Sequence, residues 1–483
     1  MRFKPCGVFI WGAKIARGAQ TAGWGRAGDV RRGRGAGAEA AHFALRSWQR
    51  ARLWLLLRRL NLLQTAALNS SALKSNRKEL VDTLFLMALQ GANLLVPVII
   101  IPYLMMTLGA AGYGRVGFAL SAAQYLIIIV DFGFNLSATK SAALAKGDRR
   151  RLTELFWSVV WVKSLLLVAS LAVLVAVMML VPQFATYRLA VWMTVPQIVG
   201  HTFTFTWLFQ GIGKVRTMSV INILCKVAML PLVLWLVRGP EDYALAAFLQ
   251  ASVFLLAAVL TGVWLYRLHV VGRPVVSRAT MRREAADSFP LFLSQTSTSV
   301  YTQLFAVILG LFCTEAEVGS YTAAERIMRA LCFLVYQPLS QAFFPQISAL
   351  SERMRGEALK KFALVKRIVL LSMAGIGLVL FVGAPYAEAW LGGGYEGLAT
   401  LLRIFAFTPV FISLGGVYGQ FGLVALGDSA SRLRFRNVYF FVAAFAITGV
   451  LFAAPLFHTV GAATVLLLSE AFVCGMMAYY NKR

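Results

Sequence analysis

Acid is scarce in this chain: Asp and Glu supply 20 of 483 residues and His only 4, against 47 Lys and Arg. Charged residues of both signs reach 14%, hydrophobic residues 59%, and the mean hydropathy is +0.71. So few polar side chains cannot coat a globule of this length in water, which excludes a soluble enzyme or binding module. The five cysteines, Cys6, Cys225, Cys313, Cys332 and Cys474, are scattered and odd in number. They lack the paired spacing of a disulfide framework or a metal site and read as packing residues. No GxxxxGK phosphate loop is present, which excludes that route to ATP. No hydrophilic stretch after residue 80 is long enough to fold into a catalytic domain outside a membrane.

What the chain has instead is apolar length. Runs of about 20 residues, each able to cross a hydrocarbon core about 30 Å thick as a helix, recur from residue 80 to the C-terminus. They are continuous rather than alternating, so helices and not barrel strands are expected to span. The predicted spans are 80–106, 115–132, 152–180, 189–209, 215–237, 243–268, 288–313, 318–350, 364–383, 398–425, 437–456 and 459–480. That is an all-α integral membrane protein of about twelve transmembrane helices.

Residues 1–75 are a different material, rich in Gly, Ala and Arg. From Met1 to Lys78 there are 16 Lys and Arg against Asp29 and Glu39, a net +14 of the formal +27. No hydrophobic periodicity organises the segment and it does not resemble a secretory signal, so upstream sequence read through a misplaced start is the expectation. The piece "RSWQRARLWLLLRRLNLL" could otherwise lie on anionic lipid.

Loop charge gives orientation. Lys140, Lys146 and Arg149 to Arg151, then Lys214 and Arg216, Arg273 to Arg283, Arg353 to Arg367, Arg432 to Arg436, and the terminal Lys482 and Arg483 fall on alternate loops. The positive-inside bias makes these sides cytoplasmic and places both termini there. The opposite loops carry Glu241 and Asp242, Glu315 and Glu317, or Glu388 and Glu396.

A repeat search divides the spans in two. Pairing each residue with the one 205 positions on sets Asp82 on Asp287, Leu86 on Leu291, Gln90 on Gln295 and Gly114 on Gly319. A second trace is the basic turn "FQGIGKVR" and its counterpart "LVALGDSASRLR". The expected organisation is therefore an N-terminal six-helix bundle over 76–270 and a C-terminal one over 271–483, related by an axis along the membrane normal and facing a central cavity.

Polar residues inside the spans say what such a cavity could hold, because a charge at the bilayer centre costs about 2.5 to 3.5 kcal/mol and usually faces water or a partner. Gln90 and Asn93 share one helix face with Asp82, and Gln295 and Ser299 share another with Ser288 and Thr302. Arg326, Arg329 and Lys226 are candidate cavity cations, with Gln337 a further polar lining residue; bases outnumber acids, which points to an anionic cargo. The bland alternatives are an Arg329–Glu325 pair along one helix, snorkelling of Lys163 and Arg403, and hydrogen bonding between helices. Glu470 is either the partner of a cation or a proton or sodium site. A lone His201 is expected to be a packing residue.

The motifs "LGAAGYG", "DFGF" and "FQGIGK", in a chain of this helix count, resemble the Wzx-type flippases of the polysaccharide-transport branch in the multidrug, oligosaccharidyl-lipid and polysaccharide exporter superfamily. The resemblance covers 76–483. It implies a bacterial inner-membrane flippase for undecaprenyl-diphosphate-linked sugar repeats, serving O-antigen or related surface polysaccharide, not an enzyme. It implies no cofactor or metal, with H+ or Na+ as candidate coupling ions. The expected partners are the lipid-linked oligosaccharide and membrane lipid, with a polymerase and a chain-length regulator as further candidates and no nucleic acid. Asp131 lies near the inner end of its span. There Gly133 can end the helix, Asn135 can cap the next, and the acid is expected to lock the cytoplasmic gate, with Lys140 or Arg216 as partner, direct proton coupling being the alternative role. The rivals are a drug or cation antiporter of the same superfamily, which would concentrate buried acids, and a polysaccharide polymerase, which would need a large outward loop.

Overall fold

The computed structural model describes residues 96–427 and 429–482, without the side chains of 294, 295, 297–303, 345, 351–353, 429, 430 and 432. The expectations for residues 1–75, for Gln90 and Asn93, and for the side chains of Gln295 and Ser299 lie outside the described residues. Among the described residues every element is helical. A helical run from 96 breaks at Gly109, where φ is +65°, into α1 (96–108) and α2 (110–131). The chain then turns at Phe132 (φ +42°) and Gly133 (φ +81°) into α3, Phe134–Leu144. Gly133 is needed twice over. Its φ is one that L side chains rarely adopt, and a Cβ there would stand 2.6 Å from the Ser288 carbonyl oxygen.

Helix α4, Arg149–Leu180, starts where the Asp148 carboxylate accepts from the backbone N–H groups of Arg150 and Arg151, each at 3.0 Å. The span expected as one helix over 189–209 is three short ones: α5 Arg188–Met193, α6 Val195–Thr202 and α7 Thr206–Gly211. Pro196 occupies the first turn of α6, and Phe205 takes φ +49°. Thr202 and Thr204 hydroxyls donate to carbonyls four residues back, at 2.7 and 2.5 Å. Such side-chain bonds compete with the backbone ladder and weaken it.

Helices α8 Val215–Leu236 and α9 Tyr243–Arg267 follow. Helix α10, Arg278–Phe312, begins well before the apolar run at 288 because Ser277 caps a polar stretch that no bilayer criterion would find. Helix α11, Glu315–Arg353, opens with a reciprocal capping box between Thr314 and Glu317. Helix α12, Arg355–Leu391, leads to α13 Leu398–Phe405, α14 Thr408–Gly416 and a π-helical stretch Val417–Ala425. The last helix, α15 Ser429–Lys482, breaks at His458 (φ +51°, ψ −135°), between the two spans expected there.

Seven segments among the described residues are long and apolar enough to cross a membrane. Large side chains on them, such as Leu165, Met179, Leu180, Leu371 and Phe452, point outward and exposed. So much apolar surface needs lipid around it: this is a multi-pass membrane protein.

One contact orders the rest. Gly114 on α2 lies against Gly319 on α11, where a Cβ on Gly114 would stand 2.7 Å from the Gly319 nitrogen and one on Gly319 would stand 3.1 Å from the Gly114 nitrogen. The same built Cβ of Gly114 runs into the Glu315 carbonyl oxygen, and that of Gly319 into the Ala110 carbonyl oxygen. Ala110 and Glu315 are themselves 205 positions apart, as are Gly114 and Gly319. Each residue thus meets the counterpart of what its own counterpart meets, the pattern of a two-fold contact. Gly117 repeats it against Thr322, again 205 positions on.

Candidate functional site

Further along α2 and α11 from this contact lies a cavity of about 770 Å³, within the range of small-ligand sites. Its polar lining is Ser121 and Gln124 from α2, Gln197 from α6, Lys226 from α8, Gln250 from α9, and Arg326 and Arg329 from α11. The three cations picked out in the sequence are therefore brought together. The rest of the wall is apolar, including Ile100, Ile101, Met229, Val253, Phe254 and Leu331. No Asp or Glu is among the described lining residues. Ser121 and Gln124 stand 205 positions before Arg326 and Arg329, so positions at that offset share one cavity, neutral on α2 and cationic on α11.

Arg326 is held by Tyr113, whose hydroxyl oxygen accepts from Nη1 at 3.0 Å and whose ring lies 5.3 Å from the guanidinium carbon. Tyr113 is fully buried, so the arginine is anchored at one edge while the planar fork keeps further donors. Arg329 donates through Nε to Glu325 at 2.8 Å along the same helix, so the i,i+4 pair expected as the bland reading does form. Glu470, buried in α15, is within electrostatic reach of both Arg329 and Glu325. Gln337 is half-buried and does not line the cavity. Its neighbours Tyr336 and Ser340 instead donate to Gln420.

Asp131 has other partners than those expected. Lys163 Nζ donates to it at 3.0 Å, His201 Nδ1 lies 3.6 Å away, and Asn135 Nδ2 donates to its second oxygen at 2.8 Å. Lys140 and Arg216 are not its partners, because Lys163 points inward from α4 and is already buried beside the acid. Asn135 consequently does not cap α3. Lys163 does not snorkel, and His201 packs with its Nδ1 toward the acid.

A second cavity, about 640 Å³, lies at the end that carries the basic loops and is lined by Lys140, Arg151 and Arg283 together with Glu154, Glu284 and Asp287. Its rim closes α3 and α4 onto α10. Ser137 and Ser288 hydroxyls share a 2.5 Å hydrogen bond, Ser141 donates to both oxygens of the buried Glu284 at 3.0 Å, and Thr280 donates to Glu154 at 2.6 Å. Phe132 stacks on Phe292 with centroids 4.9 Å apart. At the opposite end, Arg115 pairs with Glu315 at 2.6 Å and lies over the Tyr243 ring. Near it, Cys313, Glu317 and His458 bring three metal-capable atoms within 4.8 Å of one another. Sequence reasoning passed over Tyr113, Gln124, Gln197, Gln250 and Glu284. The glutamines were visible as lone amides in apolar runs, but the latch around Glu284 was not, because it joins α3 to α10.

Residues 80–351 match the family described as "Polysaccharide biosynthesis protein". The chain belongs to that family. Two curated relatives are similar over most of their length: a "Putative O-antigen transporter" of Escherichia coli (strain K12), 31% identical over 83% of this chain and 95% of its own, and one of the same name from Shigella dysenteriae, 26% identical over 79% and 93%. Among solved structures, the "Inward-facing conformation of a multidrug resistance MATE family transporter of the MOP superfamily" superposes with a TM-score of 0.64 over 80% of this chain and 94% of that one, at 13% identity. This chain therefore shares the helical fold of that solved structure.

Proposed function

We infer that this chain is a flippase that carries an undecaprenyl-diphosphate-linked oligosaccharide from the inner to the outer leaflet of the bacterial inner membrane, for O-antigen or related surface polysaccharide. The observation that carries the reading is the cavity lined by Lys226, Arg326 and Arg329 with no described carboxylate. A diphosphate leaving water loses its hydration, and guanidinium forks and an ammonium replace it. Gln124, Gln197, Gln250 and Ser121 offer donors and acceptors of the kind sugar hydroxyls need. The apolar remainder of the wall tolerates the lipid linkage while the tail stays in the bilayer. A drug-cation antiporter would instead need acids facing its cargo.

In this reading the helices form two six-helix halves, 76–270 and 271–483, with both termini in the cytoplasm. The reciprocal Gly114 and Gly319 contact supports a two-fold relation between them. The latch around Ser137, Ser288 and Glu284 joins the two halves and holds the cytoplasmic side closed while cargo leaves outward, and the Asp131–Lys163 pair, inside the first half, braces the corner that carries it. Glu470, beside Arg329, is the group through which H+ or Na+ would couple. A polymerase and a chain-length regulator would act on the delivered repeat.

Complementation of a flippase-deficient bacterium tests this, using the full chain and a second form starting at Ser75. Polymerised surface polysaccharide restored by both, at matched protein level, is expected. Failure of both in the chain's own polysaccharide background, with protein inserted, would sink the flippase reading in favour of the antiporter.

A further inference from the structure

We propose that Cys313, Glu317 and His458 form a binding site for a Zn2+-class ion at the end of the molecule opposite the basic loops. Two separate pieces of chain converge there: the turn that carries Cys313, just past the end of α10, and Glu317, in the first turn of α11, and the break in α15 at His458. His458 Nδ1 lies 3.9 Å from Cys313 Sγ and 3.2 Å from Glu317 Oε1. Metal–ligand bonds of about 2.3 Å to sulfur and about 2.0 to 2.1 Å to nitrogen or oxygen, in a tetrahedron, require S···N edges of about 3.6 Å and N···O edges of about 3.4 Å. Both observed separations lie within a few tenths of an ångström of those edges. An imidazolium–carboxylate pair would account for the histidine and the glutamate, but it gives no reason for a thiol to join them.

The supporting shell has the form that metal ligands need. The second oxygen of Glu317 accepts from the Thr314 backbone N–H at 2.8 Å and its hydroxyl at 2.9 Å. Those two bonds fix the carboxylate and leave Oε1 turned to the cluster. His458 reaches the cluster from the break in α15, with φ +51° and ψ −135°. That backbone conformation is rare for any residue but glycine. Thiolate, imidazole and carboxylate together suit Zn2+ and its borderline neighbours, not Mg2+ or Ca2+, which take oxygen shells. Three protein ligands leave a fourth position for water, so the site is open rather than closed. It is adjacent to Glu315, the partner of Arg115. A bound ion would tie the turn between α10 and α11 to α15, beside the contact of α2 with α11. The binding claim stands independently of what the chain transports.

The test is titration of the purified full chain in detergent with Zn2+ by calorimetry and with Co2+ by absorption. One equivalent of Zn2+, and a thiolate-to-Co2+ charge-transfer band, are expected. Cys313→Ser should abolish the band, and Cys313→Ser, Glu317→Gln and His458→Asn should each weaken Zn2+ by about tenfold or more. These replacements keep the fold, since Gln still serves a capping box and Asn at 458 must hold only the backbone conformation that the histidine already holds there; an unchanged melting profile would verify it. No stoichiometric uptake, a Co2+ spectrum without the thiolate band, or unchanged affinity in any one variant would overturn the proposal.

Discussion

Removing the Asp131 carboxylate leaves the Lys163 ammonium, whose side chain is 4% exposed, without its counter-charge. Breaking one side of a buried pair costs about 3 to 5 kcal/mol, whereas replacing both sides by apolar groups is often neutral. Asp131→Asn should therefore lower the melting midpoint in detergent and slow export, while Asp131→Asn with Lys163→Met should recover much of the midpoint. Cargo binding should survive both, because neither residue lines the 770 Å³ cavity. Arg326→Gln should cut surface polysaccharide about tenfold or more at equal protein level, and Arg326→Lys should not restore it, since an ammonium cannot reproduce the fork that engages Tyr113 and an anion together. Equal polysaccharide from the wild type and Arg326→Gln would contradict a cargo role. The cavity cations were legible in the sequence because a charge inside an apolar run is expensive and so draws notice. The partner of Asp131 was not legible, because it depends on how α4 is rotated against α2. Cys313 likewise looked inert until His458 was brought beside it from the far end of the chain.

At the level of elements, α3 and α10 meet through Ser137 and Ser288, with oxygens 2.5 Å apart, close to the length of a disulfide at about 2.0 Å. A Ser137→Cys, Ser288→Cys pair should cross-link on mild oxidation, as a shift in gel mobility within one chain, and export should stop until a reductant is added. Full export by the cross-linked protein would show that this latch need not open. Helix positions were largely readable from apolar length, down to the break near 457 that the structure puts at His458. Three features were not, the first being the helix expected over 398–425, which is α13, α14 and the π-helical stretch. The expected helix over 189–209 is fragmented by Pro196, Phe205 and threonines that bond their own backbone. Helix α10 reaches back to Arg278 because a capped helix continues into water past the point where hydropathy stops.

For the whole molecule, single cysteines placed at Glu396 and at Arg273 should react differently with a membrane-impermeant thiol reagent on intact spheroplasts: the first at once, the second only after permeabilisation. The reverse pattern would invert the orientation drawn from loop charge. Four matches at a 205-residue offset were legible in the sequence, and one of them, Gly114 with Gly319, is an actual contact, as equivalents must be when they lie on the axis of the two proposed halves. That position makes the glycine pair a fulcrum. Helix α11 runs on from Gly319 to Arg353, a lever of about 51 Å at about 1.5 Å per residue. At that arm length each degree of tilt about the glycines sweeps the far tip through about 1 Å. A gap of about 10 Å at the basic end then takes only about ten degrees of rotation, with the backbones at the fulcrum scarcely displaced.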